Sequence, residues 1–456
     1  MSPVGSPAET PPDALNCAAG DSTRGFIVGT RGSALALAQT QLVVDALTPH
    51  LSQPLDVQII TTHGDTTRAH LVDLAQQGHT GVFANAIRRA LLEGQIDLAV
   101  HSCKDLPADP CPGLEILAMP PRGATADCLC TTAGWTLETL PEGARVGTGS
   151  PRRAAQLLRV RPDLRIVPIR GNIERRLRCL EEPTPDGEGG SADVPLDAVV
   201  LAEAGLQRLA TRQSAAQQPT AGSSVTAPSS PTRRSVTAQT LSSAHTASAH
   251  ADTAQANSSQ SDTAQPDTVL RYISERLPFL PSPAQGALAL EVRMDSTPEP
   301  LRQALLAIND QPTLLAATAE RALLRTLHAG CELPIGAEAT ARVHAETRGV
   351  ELTLRAEILS PDGRERNAAE YSVSVPQLAW AEESTEVTAG LQGDGLRSAS
   401  LPGDGLQGDG LQGAAPLDTD PGLVDPAYYA EAHEAQLAAA YQLGQMVAHR
   451  LQANAR

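Results

Sequence analysis

Lysine is almost missing from this chain. Of 35 basic residues in 456, Lys104 alone is a lysine and every other one is an arginine. Aromatic residues make up only 2% and the net charge is -17. A nucleic-acid partner is therefore not expected, because it would need a basic face and stacking rings. No apolar run approaches the roughly 18 residues that a membrane helix needs, so no membrane association is expected either. The seven cysteines (17, 103, 111, 128, 130, 179 and 331) are odd in number and contain no Cys-x-x-Cys pair. That usage points to a reducing compartment rather than to a disulfide framework. A zinc site built from Cys103, Cys111, Cys128 and Cys130 would have the wrong spacing for a knuckle, which favours buried thiols and no metal. The first 23 residues lack both a basic residue and an apolar core. They read as neither a signal peptide nor a transit sequence.

What is present divides at low-complexity segments. Residues 1–24 are a Pro/Ala/Ser-rich leader. Residues 211–267 hold no aromatic, no isoleucine and one leucine, Leu241. Such a composition cannot offset ordering entropy and is expected to be disordered. Residues 384–424 carry leucines every five residues, from Leu391 to Leu411, with Gly-Asp-Gly three times. That period fits neither helix nor strand, and the segment is expected to be a flexible insert, a calcium-binding repeat being the other reading. A shorter Pro/Gly/acid loop fills 183–195.

Strand and helix signals alternate in the remainder. Phe26–Gly29 reads as a strand, Ala34–Leu47 as a helix, Leu55–Thr61 as a strand, Phe83–Leu92 as a helix and Ile96–Val100 as a strand. The grammar then repeats with a strand at Arg145–Thr148, a helix at Pro151–Val160, a strand at Arg165–Ile169, a helix at Ile173–Leu180 and a strand at Ala198–Ala202. Two α/β domains with mostly parallel sheets follow from this alternation. A helix at Thr313–Leu327, strands at Val350–Leu359 and Tyr371–Val375, and a helix from Ala427 indicate a small C-terminal α+β domain. The expected boundaries are 25–120 for the first domain, completed by about 273–293, then 121–210 for the second and 296–456 for the third.

Positive charge is concentrated despite the acidic total. Between Gly143 and Arg178 there are ten arginines against two acids, Asp163 and Glu174. Gly149-Ser150-Pro151-Arg152-Arg153 places a serine at an N-cap, a proline at the first helical position and two guanidinium groups in the first turn. Free backbone N–H groups and the helix dipole add to those charges and make an anion site. Thr30-Arg31-Gly32-Ser33 repeats the design in the first domain, and Arg170-Gly171-Asn172 with Arg176 repeats it in the second. Each turn alone is a weak signal. Three of them on two α/β domains describe a cleft that grips several carboxylates or phosphates. Lys104, in His101-Ser102-Cys103-Lys104-Asp105, is a compact ammonium beside a carboxylate, a combination that arginine does not replace. Its survival is open to chance on composition alone, and the neighbourhood favours function. Cys331 lies in Gly330-Cys331-Glu332-Leu333-Pro334-Ile335-Gly336, a turn that makes poor core. A covalent role is therefore favoured over packing.

In that order and at that spacing, Gly29-Thr30-Arg31-Gly32-Ser33-Ala34-Leu35-Ala36-Leu37, His101-Ser102-Cys103-Lys104-Asp105-Leu106-Pro107, Val146-Gly147-Thr148 running into Arg152-Arg153, Arg170-Gly171-Asn172, Leu201-Ala202 to Arg208, Ala284-Gln285-Gly286-Ala287 and Gly330-Cys331 to Gly336 resemble the porphobilinogen deaminase (hydroxymethylbilane synthase) family. The resemblance covers residues 25–210 and 268 to about 375. It implies two domains like those of periplasmic binding proteins plus a small domain bearing the cysteine. It also implies a transferase of porphyrin, tetrapyrrole and heme biosynthesis, monomeric and cytoplasmic. Four porphobilinogen molecules would be joined head to tail on a dipyrromethane cofactor thioether-linked to Cys331, and hydroxymethylbilane would then be hydrolysed off. Asp105 would hydrogen-bond pyrrole N–H groups, stabilise the cationic methylene formed as ammonia leaves, and relay protons. Ser102, Lys104, Thr148, Ser150, Arg152 and Arg153 would hold the cofactor, and Arg31, Ser33, Arg170, Arg176 and Arg208 the substrate carboxylates.

Two positions depart from the family pattern. Thr80 stands where a lysine is usual, and Ala126-Asp127-Cys128 where Arg-Asp-Ala is common. A non-catalytic anion-binding module on the same two-domain plan is the rival reading; it would predict a secretion signal and would not need Cys331. A homologue that binds precursors without turnover is a second rival, separable by activity alone.

Overall fold

The computed structural model describes residues 25–61, 84–183, 194–216, 269–329, 333–343, 349–376 and 426–454. The leader at 1–24, the insert from 217, the insert at 384–424, Thr80 and Cys331 lie outside the described residues.

The first domain opens with β1 (Phe26–Thr30), in which Phe26 and Val28 are buried, followed by α1 (Ala34–Leu47). Ser33 caps α1 by accepting the Ala36 backbone N–H at 3.2 Å, which ends the strand and starts the helix where the Thr-Arg-Gly-Ser turn predicts. Gly29 is required by a close approach. A Cβ there would sit 2.3 Å from Ile96 Cδ1. β2 (Leu55–Ile59), α2 (Asn85–Leu92), β3 (Leu98–Ser102) and β4 (Leu114–Ala118) follow. The second domain runs β5 (Asp127–Cys130), β6 (Arg145–Gly147), α3 (Pro151–Val160), β7 (Arg165–Val167), α4 (Ile173–Arg178), β8 (Ala198–Ala202) and α5 (Glu203–Ala216). After residues 217–268 come β9 (Ile273–Leu277), β10 (Leu288–Arg293), α6 (Glu299–Ala307) and α7 (Gln311–Thr326). Three long strands, β11 (Ile335–Val343), β12 (Gly349–Leu359) and β13 (Arg366–Pro376), and α8 (Pro426–Asn454) complete the third domain.

The sheet orders are β2-β1-β3-β10-β4 and β7-β6-β8-β5-β9, with an antiparallel meander β11-β12-β13 as the third. The α/β class with a small third domain therefore holds, but the first two sheets are mixed rather than mostly parallel. β1 runs parallel to β2 and β3, whereas β10 is antiparallel to both β3 and β4. The second sheet repeats the arrangement, with β5 antiparallel to β8 and β9. The cause is connectivity: in each sheet the fourth strand is the one that has just crossed from the other domain.

Three expected boundaries are corrected by packing. The stretch 273–293 does not complete the first domain alone, because β9 pairs with β5 and only β10 enters the first sheet. α6 is not part of the third domain; Leu301, Ala304 and Leu305 form an apolar stripe buried against Phe26, Val28, Leu98 and Leu290 of the first. The second domain extends beyond residue 210, since α5 continues helical to Ala216. α7 joins domains: Leu314 and Ala317 pack on Cys103, Leu106 and Met119, while Leu315, Ala319 and Leu323 pack on the third sheet and α8.

Candidate active site

The anion turns sit at the carboxyl ends of β1 and β6, where an open α/β sheet leaves its crevice. Asn172 and Ser150 cap their helices as Ser33 does. The Arg175 N–H donates to Asn172 Oδ1 at 3.0 Å and the Arg153 N–H to Ser150 Oγ at 3.5 Å. Buried Thr148, just after β6, accepts the Ser150 N–H at 3.2 Å.

In the first domain, a cleft is lined by Arg31, Ser33, Gln39, His101, Ser102 and Asp105 among others. Ser102, ending β3, donates its hydroxyl to the buried Gln39 Oε1 at 3.0 Å. Lys104 and Asp105 occupy a single 3-10 turn, Cys103–Asp105, with the Asp105 side exposed and Lys104 half-buried. Burial, and then the charge of Arg153, lower the Lys104 pKa to about 8, against the opposing pull of Asp105 and Asp127. Arg176 on α4 feels the same surroundings. Burial and Arg153 lower it to about 10, while Asp105 pulls the other way. Charges from both α/β domains thus act on Asp105 and on one another. Arg170 is half-buried in the turn after β7. Arg208, on α5, is lowered to about 10 by burial and donates to the Gly286 carbonyl at 2.6 Å.

Arg152 and Arg153 are placed differently from an exposed anion clamp. Both are buried and meet on one carboxylate, Asp127, which is 0% exposed. Arg153 donates to Asp127 Oδ1 through Nε (3.0 Å) and Nη2 (2.7 Å), and to the Val200 carbonyl through Nη1. Arg152 Nη1 donates to Asp127 Oδ2 at 2.7 Å, and to Gln156 and the Leu280 carbonyl. Burial alone would raise the Asp127 pKa. The two guanidinium groups outweigh it and hold the carboxyl well below the usual carboxylate range.

Sequence reasoning missed Asp127 and Gln285 as site residues. Gln285 is fully buried between Ala284 and Gly286, both at positive φ (61° and 87°). It accepts from Lys104 Nζ at 3.2 Å and donates to Asp127 Oδ1 at 2.9 Å and to the Thr125 carbonyl at 2.7 Å. Two signals were available: an acid heading the apolar strand Asp127–Cys130 with an arginine-rich stretch as its only plausible partner, and one large polar residue set among small ones in a turn. The expectation of buried thiols holds for Cys103, Cys128 and Cys130 but not for Cys111, which is half-buried, and burial pushes Cys128 and Cys130 up to about 12. Among the described residues no His/Cys/Asp/Glu cluster could hold a metal.

Two α/β domains and a small third one, with arginine- and serine-bearing turns and an exposed carboxylate in the cleft, define a protein built to bind small polyanions. Two family descriptions match: "Porphobilinogen deaminase, dipyromethane cofactor binding domain" over residues 26–232, and "Porphobilinogen deaminase, C-terminal domain" over 314–387. The chain is 39% identical over 357 residues to porphobilinogen deaminase of Thermobifida fusca, covering 78% of this chain and 88% of the relative. It is 41% identical to that of Cutibacterium acnes, covering 76% and 87%. The chain belongs to the porphobilinogen deaminase family. Among solved structures, immunogenic lipoprotein A from Vibrio vulnificus overlaps with a TM-score of 0.30 and 9% identity, over 64% of this chain and 99% of that one. That overlap is too loose to bear on the fold, which rests on the sheet orders above.

The residues present fit a dipyrromethane, whose carboxylates need cationic and hydroxyl donors. Arg152 Nε and Thr30 Oγ1 are buried with no hydrogen-bond partner among the described residues. Lys104 makes no ion pair among them, its one hydrogen bond going to a neutral amide.

Proposed function

We propose that this chain condenses four porphobilinogen molecules head to tail, with loss of ammonia, on a dipyrromethane attached through Cys331, and releases hydroxymethylbilane. The observation that carries the reading is the exposed Asp105 carboxylate in a cleft whose charged surroundings include Arg31, Lys104 and, from the second domain, Arg153 and Arg176. When bound, the dipyrromethane supplies the pyrrole carbon to which the first substrate is joined. Asp105 accepts hydrogen bonds from pyrrole N–H groups, sets a negative charge beside the substrate carbon that loses ammonia, and carries the displaced proton. Lys104, Ser102, Thr148, Ser150, Arg152 and Arg153 hold the carboxylates of the cofactor. Arg31, Ser33, Arg170, Arg176 and Arg208 hold those of arriving substrate. We place the enzyme in the cytoplasm as a monomer, the cysteine usage supporting a reducing compartment. Among the described residues no helix is long and apolar enough to cross a membrane.

Intact mass spectrometry tests the reading. Active protein carries an added mass of two linked pyrrole units on the tryptic peptide containing Cys331. The Cys331→Ser variant lacks that mass and does not turn over. Fully active protein with an unmodified Cys331 would overturn the assignment.

A further inference from the structure

Lys104 and the Asp127 cluster belong to different domains, and one side chain spans them. Gln285 lies in the segment that crosses from β9 to β10. It presses against the other crossover, β4 to β5, through its bond to the Thr125 carbonyl. The orientation of its amide is forced. Ionised Asp127 and the Thr125 carbonyl can only accept, so both take the amide N–H groups and leave Oε1 for Lys104, which can only donate. The backbone on either side is pinned as well. Arg122 Nε donates to the Gln285 carbonyl at 2.8 Å, and the Cys103 N–H, next to Lys104, donates to the Ala287 carbonyl at 3.0 Å.

We infer that Gln285 is a positioning residue, which fixes the Lys104 ammonium beside Asp105 through a neutral acceptor and so leaves its positive charge unspent for a carboxylate of the cofactor. This rests on the proposed function above only for the identity of that carboxylate. An acidic residue at 285 would neutralise Lys104 and would also set a second carboxylate against Asp127 and the Thr125 carbonyl, which lose their donor. An apolar one would leave the ammonium unheld. The charged groups around Lys104 are Asp105 on its own turn and Asp127, Arg152 and Arg153 from the second domain. None makes an ion pair with Lys104, so the residue at 285 is its nearest source of stabilisation. The depressed Lys104 pKa agrees with an ammonium that is partly desolvated and not neutralised.

Lys104 is the only lysine of the chain, so its titration can be read directly. Acetic anhydride modification of the full-length protein, followed by mass spectrometry of the peptide containing residue 104, gives the pH midpoint at which the amine becomes reactive. For the unaltered protein the expected midpoint is about 8. Gln285→Met lowers it by about one pH unit, a tenfold change in the equilibrium, and Gln285→Glu raises it by about as much. Near neutral pH both variants lose about tenfold in kcat, because the charge that holds the cofactor carboxylate is misplaced in one and neutralised in the other. A residue that merely tied the domains together would lower the melting temperature and leave the midpoint alone. Midpoints that stay at the unaltered value in both folded variants, or move in the same direction in both, would overturn the inference. Labelling needs neither substrate nor turnover. Opposite shifts in a protein that makes no product would keep this inference and sink the functional one.

Discussion

A Cβ added to Gly286 would lie 2.4 Å from the carbonyl oxygen of Gly123. The two glycines belong to the two interdomain crossovers, and the Gly123 N–H donates to the Gly286 carbonyl at 3.2 Å. Gly286 also has φ of +87°, where a side chain is strained whatever the space. Gly286→Ala therefore costs stability twice, through backbone conformation and through a clash with backbone that has nowhere to move. A loss of roughly 2 kcal/mol or more is expected. Urea unfolding of Gly286→Ala against Gly94→Ala checks this, since Gly94 has a similar φ of +71° and open space around it. Equal losses in the two variants would mean that the crossovers separate freely.

Asp127 is the shared partner of two buried arginines, and removing its charge strands both. Breaking a buried pair from one side typically costs about 3–5 kcal/mol, so Asp127→Asn is expected to fold poorly or melt well below the unaltered protein. The pH dependence has a fixed sign. Because the folded-state pKa is depressed, the stabilisation is present above the unfolded carboxylate value of about 3.9 and is lost as pH falls below it. The stability gap between the unaltered protein and the Asp127→Asn variant should thus be widest near neutrality and narrow in acid. A gap that does not change between pH 6 and pH 3 would show that the carboxylate is not paired as described.

Asp105 is exposed, and no hydrogen bond ties its carboxylate into the fold among the described residues, so changing it should spare stability and strike turnover. Asp105→Asn keeps shape and an acceptor but removes the charge, and a loss on the order of a hundredfold or more in kcat is expected. Asp105→Glu keeps the charge one methylene away and should retain measurable activity. Near-normal turnover of the Asp105→Asn variant would end the catalytic role assigned to this carboxylate.

Cys128 and Cys130 occupy β5, buried between β8 and β9, with thiol pKa values pushed up to about 12. Thiol titration of the native protein at pH 8 should leave both unmodified, with reaction only on unfolding, since the thiolate is the reactive form. Rapid native-state labelling of either would show that the second sheet opens at β5.

Where the chain spells out its own local chemistry, the sequence could be read closely. α1 and α3 begin and end at the expected residues because Ser33, Ser150 and Pro151 mark their starts within the chain. β4, β5, β9, β10 and β11 were not foreseen. β5 is only four residues long, and β10 buries Glu291 inside an apolar run because Arg88 and His101 reach it from elsewhere. The site divided the same way. Turn motifs and Asp105 were legible from neighbouring residues, whereas the roles of Asp127 and Gln285 depend on partners 25 to 181 positions away, beyond any spacing rule.

The interleaving of strands also sets an order of assembly on the ribosome. β4 joins the first sheet only through β10, so the residues of the first domain emerge roughly 170 positions before the strand that closes their sheet. A nascent chain stalled after residue 216 exposes β3 with a bare edge and leaves β4 unattached, whereas β5 already pairs with β8 and lacks only its outer neighbour, β9. The first lobe therefore has no continuous stretch of sequence that holds its whole sheet. Synthesis past Arg293 completes both sheets within a span of about twenty residues.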